Sequence, residues 1–176
     1  DAFDKGSSVT IMPDKRTIVG YTTKNSGGVP ANFKNYFVLR FDHDFSFVGS
    51  IEDGKLSEGK TSATSNHAMA VVGFHTKRGE QVNIQVASSF ISNEQALRNL
   101  KEVEGKTFDE VKAEGRKEWN KILGRIEVED NNIDHLRTFY SCLYRSVLFP
   151  RTFYELDEQG NPVHYSPYNG KVLPGY

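Results

Sequence analysis

The rhythm of hydrophobic and polar positions changes once along the chain, near residue 91. Before it, short β-branched or aromatic runs alternate with turn-rich pieces such as Asn25-Ser26-Gly27-Gly28, Asp53-Gly54 and Lys77-Arg78-Gly79. The runs are Ser8 to Met12, Thr17 to Thr23, Tyr36 to Phe41, Phe45 to Ile51, Ala68 to His75 and Val82 to Ile91. Each is predicted to be a strand. In Val82-Asn83-Ile84-Gln85-Val86 the apolar residues share one face and the amides the other, the pattern of an antiparallel sheet with one wet side. Strands at this spacing, with no helix between them, predict a β-sandwich and not a parallel sheet with helical crossovers.

After Ile91 the period lengthens to that of a helix. Ser92-Asn93-Glu94-Gln95 predicts a capping box, with Gln95 reaching back, that opens a short helix through Val103. Thr107-Phe108-Asp109-Glu110 predicts a second box and a helix to about Leu123, with Gly124 as its stop and Val111, Gly115, Trp119 and Ile122 along one stripe. Arg125 to Glu129 is predicted to be a short strand. A third helix runs from about Asn132 to Leu148, where Ile133, Leu136, Tyr140, Leu143 and Val147 recur at helical spacing; Pro150 ends it. An apolar stripe that wide predicts burial against a large partner surface. The tail predicts a hairpin, Phe153 to Leu156 and Val163 to Tyr165, turned by Asp157 to Asn161.

The expected fold class is thus mainly β with α. A partial antiparallel β-sandwich over residues 1–91 precedes a helical linker over 92–130 and the start of a truncated domain over 131–176. Both ends look cut, and six strands are few for two sheets, so further strands and a bulky neighbour are expected from absent sequence.

Composition narrows the class of protein. Twenty-two Lys and Arg against 23 Asp and Glu give a net charge of -1, and the basic residues are scattered, which argues against nucleic acid or an anionic membrane as partner. No apolar run approaches the ~20 residues of a membrane span. Cys142, the single cysteine, sits in a helical apolar pattern and is expected to be a small buried hydrophobe.

Candidate chemistry is sparse. Asp42-His43-Asp44 follows a strand, where alternation would let only Asp42 and Asp44 converge on a metal; a polar strand end is the plainer reading. Glu127, Glu129 and Asp130 lack the ligand spacing of a calcium loop. Asp109, Glu110, Glu114 and Glu118 interleave with Lys and Arg as a solvated helix face does. No Ser/His/Asp order, phosphate loop, CxxC or HExxH is present.

The last third is the most informative stretch. Phe139-Tyr140-Ser141-Cys142-Leu143-Tyr144-Arg145-Ser146 leads through Phe149-Pro150-Arg151 to Tyr165-Ser166-Pro167-Tyr168-Asn169-Gly170-Lys171 and Pro174-Gly175-Tyr176. This resembles the junction between the two domains of glycoside hydrolase family 92, the calcium-dependent exo-acting α-mannosidases. Ile91-Ser92-Asn93-Glu94-Gln95-Ala96 with Asn99-Leu100 is similar to the end of that family's N-terminal sandwich, and Trp119-Asn120-Lys121-Ile122-Leu123 to its connecting helix. The resemblance covers most of residues 80–176, and the earlier strands loosely.

It implies a sandwich, a helical linker and an (α/α)-barrel catalytic domain that is absent here. It also implies inverting hydrolysis of α-linked mannose in glycans by a glutamic acid and an aspartate, with calcium holding the sugar, in a secreted, periplasmic or cell-surface enzyme. Those carboxylates and the calcium site are expected outside this chain, so no catalytic or metal residue is assigned and the segment alone is expected to be inactive. Its partners are then mannose-containing glycans and the remainder of its own polypeptide. Arg151, His164 and Tyr165 are the substrate-binding candidates, by Arg hydrogen bonds or aromatic stacking at the cleft. The competing expectation is structural: Arg151 and His164 fix the hairpin onto the third helix and Tyr165 packs beneath it. Two alternatives stay open: a sandwich-plus-barrel enzyme on another sugar, glucoamylase- or phosphorylase-like, and a non-catalytic carbohydrate-binding sandwich module.

Overall fold

The computed structural model describes residues 6–176, so the opening Asp1-Ala2-Phe3-Asp4 lies outside the described residues. Contacts divide the chain into two units, one running to Glu104 and resuming at Phe153–Tyr176, the other Gly105–Thr152.

The first unit is built on antiparallel strands: β1 (Ser7–Met12), β2 (Thr17–Thr22), β3 (Asn35–Phe41), β4 (Phe47–Glu52), β5 (Lys55–Glu58), β6 (Ser62–Ser65), β7 (Ala68–Gly73) and β8 (Ile84–Ser89). One sheet has the order β6-β1-β2-β3-β8 and the other β5-β4-β7. Helix α1 (Asn93–Asn99) continues as a 3-10 turn, Leu100–Val103.

The five-stranded sheet is a middle layer, because its alternating side chains meet apolar cover on both faces. On one face Ile11, Ile18 and Phe41 pack with Phe45, Ala70, Val72 and Phe74 of the smaller sheet and its flanks. On the other, Val38, Ala96 and Leu100 form a cluster joined by Val19 and Ala87. Val38 is 0% exposed and Leu100 1%, so α1 seats on the sheet through these two side chains. Gly20 lies where β2 passes under Phe37, whose Cζ stands 2.6 Å from where a Cβ would be. No larger residue fits there.

The strands predicted from alternation are present, with differences. β4 begins at Phe47, because Asp42 to Ser46 forms a bend. β5 and β6 carry no apolar alternation in sequence and form as partners of β4 and β1. The segment Val82 to Val86 keeps its expected faces but not their solvent exposure. Gln85 donates from Nε2 to the Val103 carbonyl at 2.9 Å, whereas Ile84 is 51% and Val86 62% exposed. The smaller sheet stops short of β8, so the apolar face is the open one there.

The tail forms a three-stranded sheet: β9 (Glu155–Leu156), β10 (Pro162–Tyr165) and β11 (Val172–Pro174), ordered β11-β10-β9. The sequence pattern predicts the first two of these strands and not the third.

The second unit is a helix pair, α2 (Phe108–Leu123) and α3 (Ile133–Ser146). The box at Thr107 and Glu110 is complete, and Asn132 caps α3 by accepting from the Asp134 amide. Trp119 meets Tyr144 at 4.6 Å between ring centroids. Neither helix buries a residue. Cys142 is consequently exposed, contrary to expectation: the flank of α3 that carries it has no cover. Arg125 to Glu129 is not a strand, since no strand pairs with it. Tyr140 holds it instead, donating to the Ile126 carbonyl and accepting from the Val128 amide.

Candidate functional site

The best-connected polar cluster lies where the tail sheet meets α1. Ser92 caps the helix by accepting from the Gln95 amide at 3.1 Å, but Gln95 does not return the bond, so the expected box is half formed. Helical spacing instead sets Gln95, Arg98 and Asn99 on one face. Gln95, only 4% exposed, donates to the Leu156 carbonyl at 2.7 Å and to Asn99 Oδ1 at 3.0 Å. Arg98 donates to Gln95 Oε1 and, at 2.7 Å, to Glu158 Oε1. Asn99 Nδ2 donates to the Ser88 carbonyl at 2.9 Å and to Glu155 Oε2 at 2.7 Å, and the other Glu155 oxygen accepts the Phe90 amide at 3.0 Å. Three pieces of chain are thus tied together: the end of β8, α1, and β9 with its turn. Sequence reasoning missed this clamp, and only the half-fitting capping box pointed to Gln95.

The clamp fixes the sheet that carries two of the substrate-binding candidates. His164 and Tyr165 are neighbours on β10 and therefore point to opposite faces. His164 Nδ1 lies 3.1 Å from the Gly175 carbonyl, which can only accept, so Nδ1 carries the proton. Tyr165 donates to Asn32 Oδ1 at 3.2 Å and meets the Phe33 ring edge-on. Burial, then the neighbouring Tyr36, pushes its hydroxyl pKa up, so it remains a neutral donor. Asn32 in turn donates to the Gly170 carbonyl at 2.8 Å. Arg151 belongs to the other unit, its guanidinium 4.9 Å from the centre of the Phe149 ring.

Of the acidic groups singled out in sequence, Asp42, Asp44, Asp130, Glu110 and Glu114 are engaged with their neighbours. Asp42 and Asp44 do not converge, because the segment is a bend and not a strand. Asp42 lies 2.5 Å from His43 Nδ1 and accepts from Asn83, while Asp44 pairs with Arg16 at 2.8 Å. His43 Nε2 reaches Glu80 at 3.2 Å. Hydrogen bonds to Asp42 and then Glu80 raise the His43 pKa. Partial burial of Asp42 works against ionisation, yet bonds from His43 and Asn83 outweigh it and its pKa is lowered. Asp130 accepts from the Asn132 amide and meets His135, both of which lower its pKa. Glu110 serves the α2 cap, and Glu114 pairs with Lys106 at 2.7 Å.

Among the described residues no group of three or more His, Cys, Asp or Glu is placed to hold a metal ion. Calcium takes six to eight oxygens, and no such carboxylate group is assembled for it among the described residues. A shallow cleft of about 250 Å³ lies between the β8 edge, Asn99, Glu102 and Tyr154. It is smaller than the ~300 Å³ at which ligand pockets begin. No helix among the described residues is long and apolar enough to cross a membrane.

The fold as a whole has counterparts among solved structures. Residues 2–89 match the family model described as glycosyl hydrolase family 92 N-terminal domain, and residues 95–175 that of the family's catalytic domain. The chain belongs to glycosyl hydrolase family 92, a family of glycosidases. It is 47% identical to a family GH92 inverting mannosidase of Bacteroides thetaiotaomicron, with a TM-score of 0.94, covering 100% of this chain and 24% of that one. A family GH92 α-mannosidase of the same species, solved with mannoimidazole, is 27% identical with a TM-score of 0.80, over 97% of this chain and 22% of that one. A protein of Arthroderma benhamiae described as an uncharacterized secreted glycosidase is 32% identical over 78 residues, 42% of this chain and 10% of that protein. The chain therefore spans about a quarter or less of these relatives. The family models divide it between residues 89 and 95, whereas contacts place Phe153–Tyr176 with the sandwich.

Proposed function

We propose that this chain is the sandwich and linker portion of an enzyme that removes α-linked mannose from glycans with inversion, outside the cytoplasm. The observation that carries this is the 47% identity, over its whole length, to an inverting mannosidase with the same fold. Inversion requires an acid and a base roughly 6.5–9.5 Å apart with water between them. Of the two carboxylates that line the shallow cleft, Glu102 and Glu155, the latter is committed to Asn99 and the Phe90 amide, and the acid, the base and any calcium site are assigned to the remainder of the polypeptide.

This chain then supplies rigidity. The clamp on α1 fixes β10, and β10 holds His164 and Tyr165 at the rim of the catalytic domain. The exposed apolar side chains of the helix pair, among them Ile133, Tyr144 and Val147, are the surface on which that domain rests.

The test uses the full-length polypeptide with an aryl α-mannoside and an α-mannobiose. Expected are mannose release that EDTA abolishes and calcium restores, a β-anomeric first product by NMR, and no turnover by residues 1–176 alone. Activity on α-glucosides only, or α-anomeric product, would reject the substrate or the stereochemistry in turn.

A further inference from the structure

The two sheets of the sandwich end unevenly on one side. β7 is the end strand of the smaller sheet and β8 that of the larger. They lie toward the same side: Ala70 and Val72 of β7 pack over the cluster of Ile11, Ile18 and Phe41, whereas Ser50 of β4 reaches the other way, donating to Ser62 of β6. Along the cross-strand row Ile11, Ile18, Leu39 and Val86, exposure rises from 2% and 4% through a half-covered Leu39 to 62%. Ile84, opposite Phe41, is 51% exposed. The inner face of the larger sheet therefore runs out past the smaller one with nothing over it among the described residues.

Beyond its start, where the Ala68 amide donates to Ser7 Oγ at 3.2 Å, the edge beside that open face is free of strand partners among the described residues. Gly49 and Val71 stand opposite each other, and the Gly73 carbonyl accepts the Ser46 amide, so Met69, Val71 and Gly73 turn their polar groups toward β4. Strand geometry then turns the N–H and C=O groups of Ala70 and Val72 the other way, where β7 has no neighbouring strand among the described residues. Protein edges are ordinarily protected by charge, proline or a bulge. Ala68-Met69-Ala70-Val71-Val72-Gly73 has no charged residue and no proline, and Ile84-Gln85-Val86-Ala87-Ser88-Ser89 has none either.

We infer that an extended segment of the same polypeptide, outside residues 1–176, pairs with the free edge of β7. Its inward side chains, apolar at alternate positions, cover Leu39, Ile84 and Val86. The segment continues the smaller sheet until it matches the larger. The occupant is taken from the parent chain because the relatives are about four times as long as this chain, which covers 24% of the inverting mannosidase. The inference rests on the family reading for that length, and on the open face for the place.

Hydrogen exchange of the full-length protein tests it within one molecule. The Ala70 and Val72 amides are expected to exchange as slowly as Val71, at least ~100-fold below the rate of an unpaired surface amide. Val86→Lys in the same protein is expected to lower the unfolding midpoint by several degrees. Ala70 and Val72 exchanging ~100-fold faster than Val71, or protection appearing only as the protein dimerises, overturns the assignment. Mannose release is assayed separately: activity with unprotected edge amides defeats this closure alone, and protected amides without activity defeat the substrate reading alone.

Discussion

Asn99 and Glu155, 56 positions apart in sequence, meet side chain to side chain at 2.7 Å. Each also holds a backbone group near the end of β8, Asn99 the Ser88 carbonyl and Glu155 the Phe90 amide. The pair thus converts a helix–strand junction into a socket for the tail sheet. Replacing Glu155 by Ala strands the Asn99 donor and the Phe90 amide together. The expected loss is about 1–3 kcal/mol, the range for a charged hydrogen-bonding group removed from a partly buried site. Glu155→Gln, which keeps one acceptor, should lose less. Urea titration of both variants checks the order, and equal losses would mean that the acceptor geometry is irrelevant.

Gly20 offers a sharper test of packing. Phe37 Cζ already stands 2.6 Å from where a Cβ would sit, and the Ser8 backbone closes the other side. Gly20→Ala must therefore push a strand or a ring aside, at a cost of about 1–3 kcal/mol. Thermal unfolding should show a clear fall in midpoint. Gly115, with nothing within 4 Å, is the control, and Gly115→Ala in the middle of α2 should stabilise by about 0.5–1 kcal/mol.

The Asp42, His43 and Glu80 set predicts a pH signature. His43 has a folded pKa raised above its ordinary 6.5, so its contribution is complete below that pH and fades as pH climbs through the raised value. Asp42 and Glu80 have folded pKa values lowered from 3.8 and 4.5. Their contributions are complete above those values and are lost as pH falls through the lowered ones. The stability difference between the protein and His43→Asn should be largest between about pH 4.5 and 6.5 and should shrink on either side. A difference that is flat from pH 4 to 9 would detach His43 from its carboxylates.

These tests also show where sequence was informative. β1, β2 and β3 were legible because every second residue faces a core: Val9, Ile11, Ile18 and Phe41 are all buried. β5 and β6 were not, since each is four residues long and β6 buries only Ala63. Their pairing is decided by β4 and β1, which no local window sees. Alternation located the inner face of β8 correctly but could not reveal that nothing lies over Ile84 and Val86 among the described residues. His164 and Tyr165 were legible as residues of a distinctive tail, yet the Gln95, Asn99 and Glu155 clamp that positions them joins segments about 60 residues apart and leaves no spacing to read.

Ile133 separates the intrinsic stability of this chain from what the rest of the polypeptide adds. It is 56% exposed on α3, whereas Leu100, beneath α1, is 1% exposed. Leu100→Ala opens a cavity within the chain's own core and should cost about 2–5 kcal/mol in any length of the protein. Ile133→Glu should fall within about 0.5 kcal/mol of neutral in residues 1–176, as surface substitutions do. In the full-length protein the same change forces a carboxylate into an apolar interface and should cost ~2 kcal/mol or more. Chemical denaturation of both variants at both lengths makes the comparison. If Ile133→Glu is neutral at both lengths, the stripe of α3 faces water and the catalytic domain rests elsewhere.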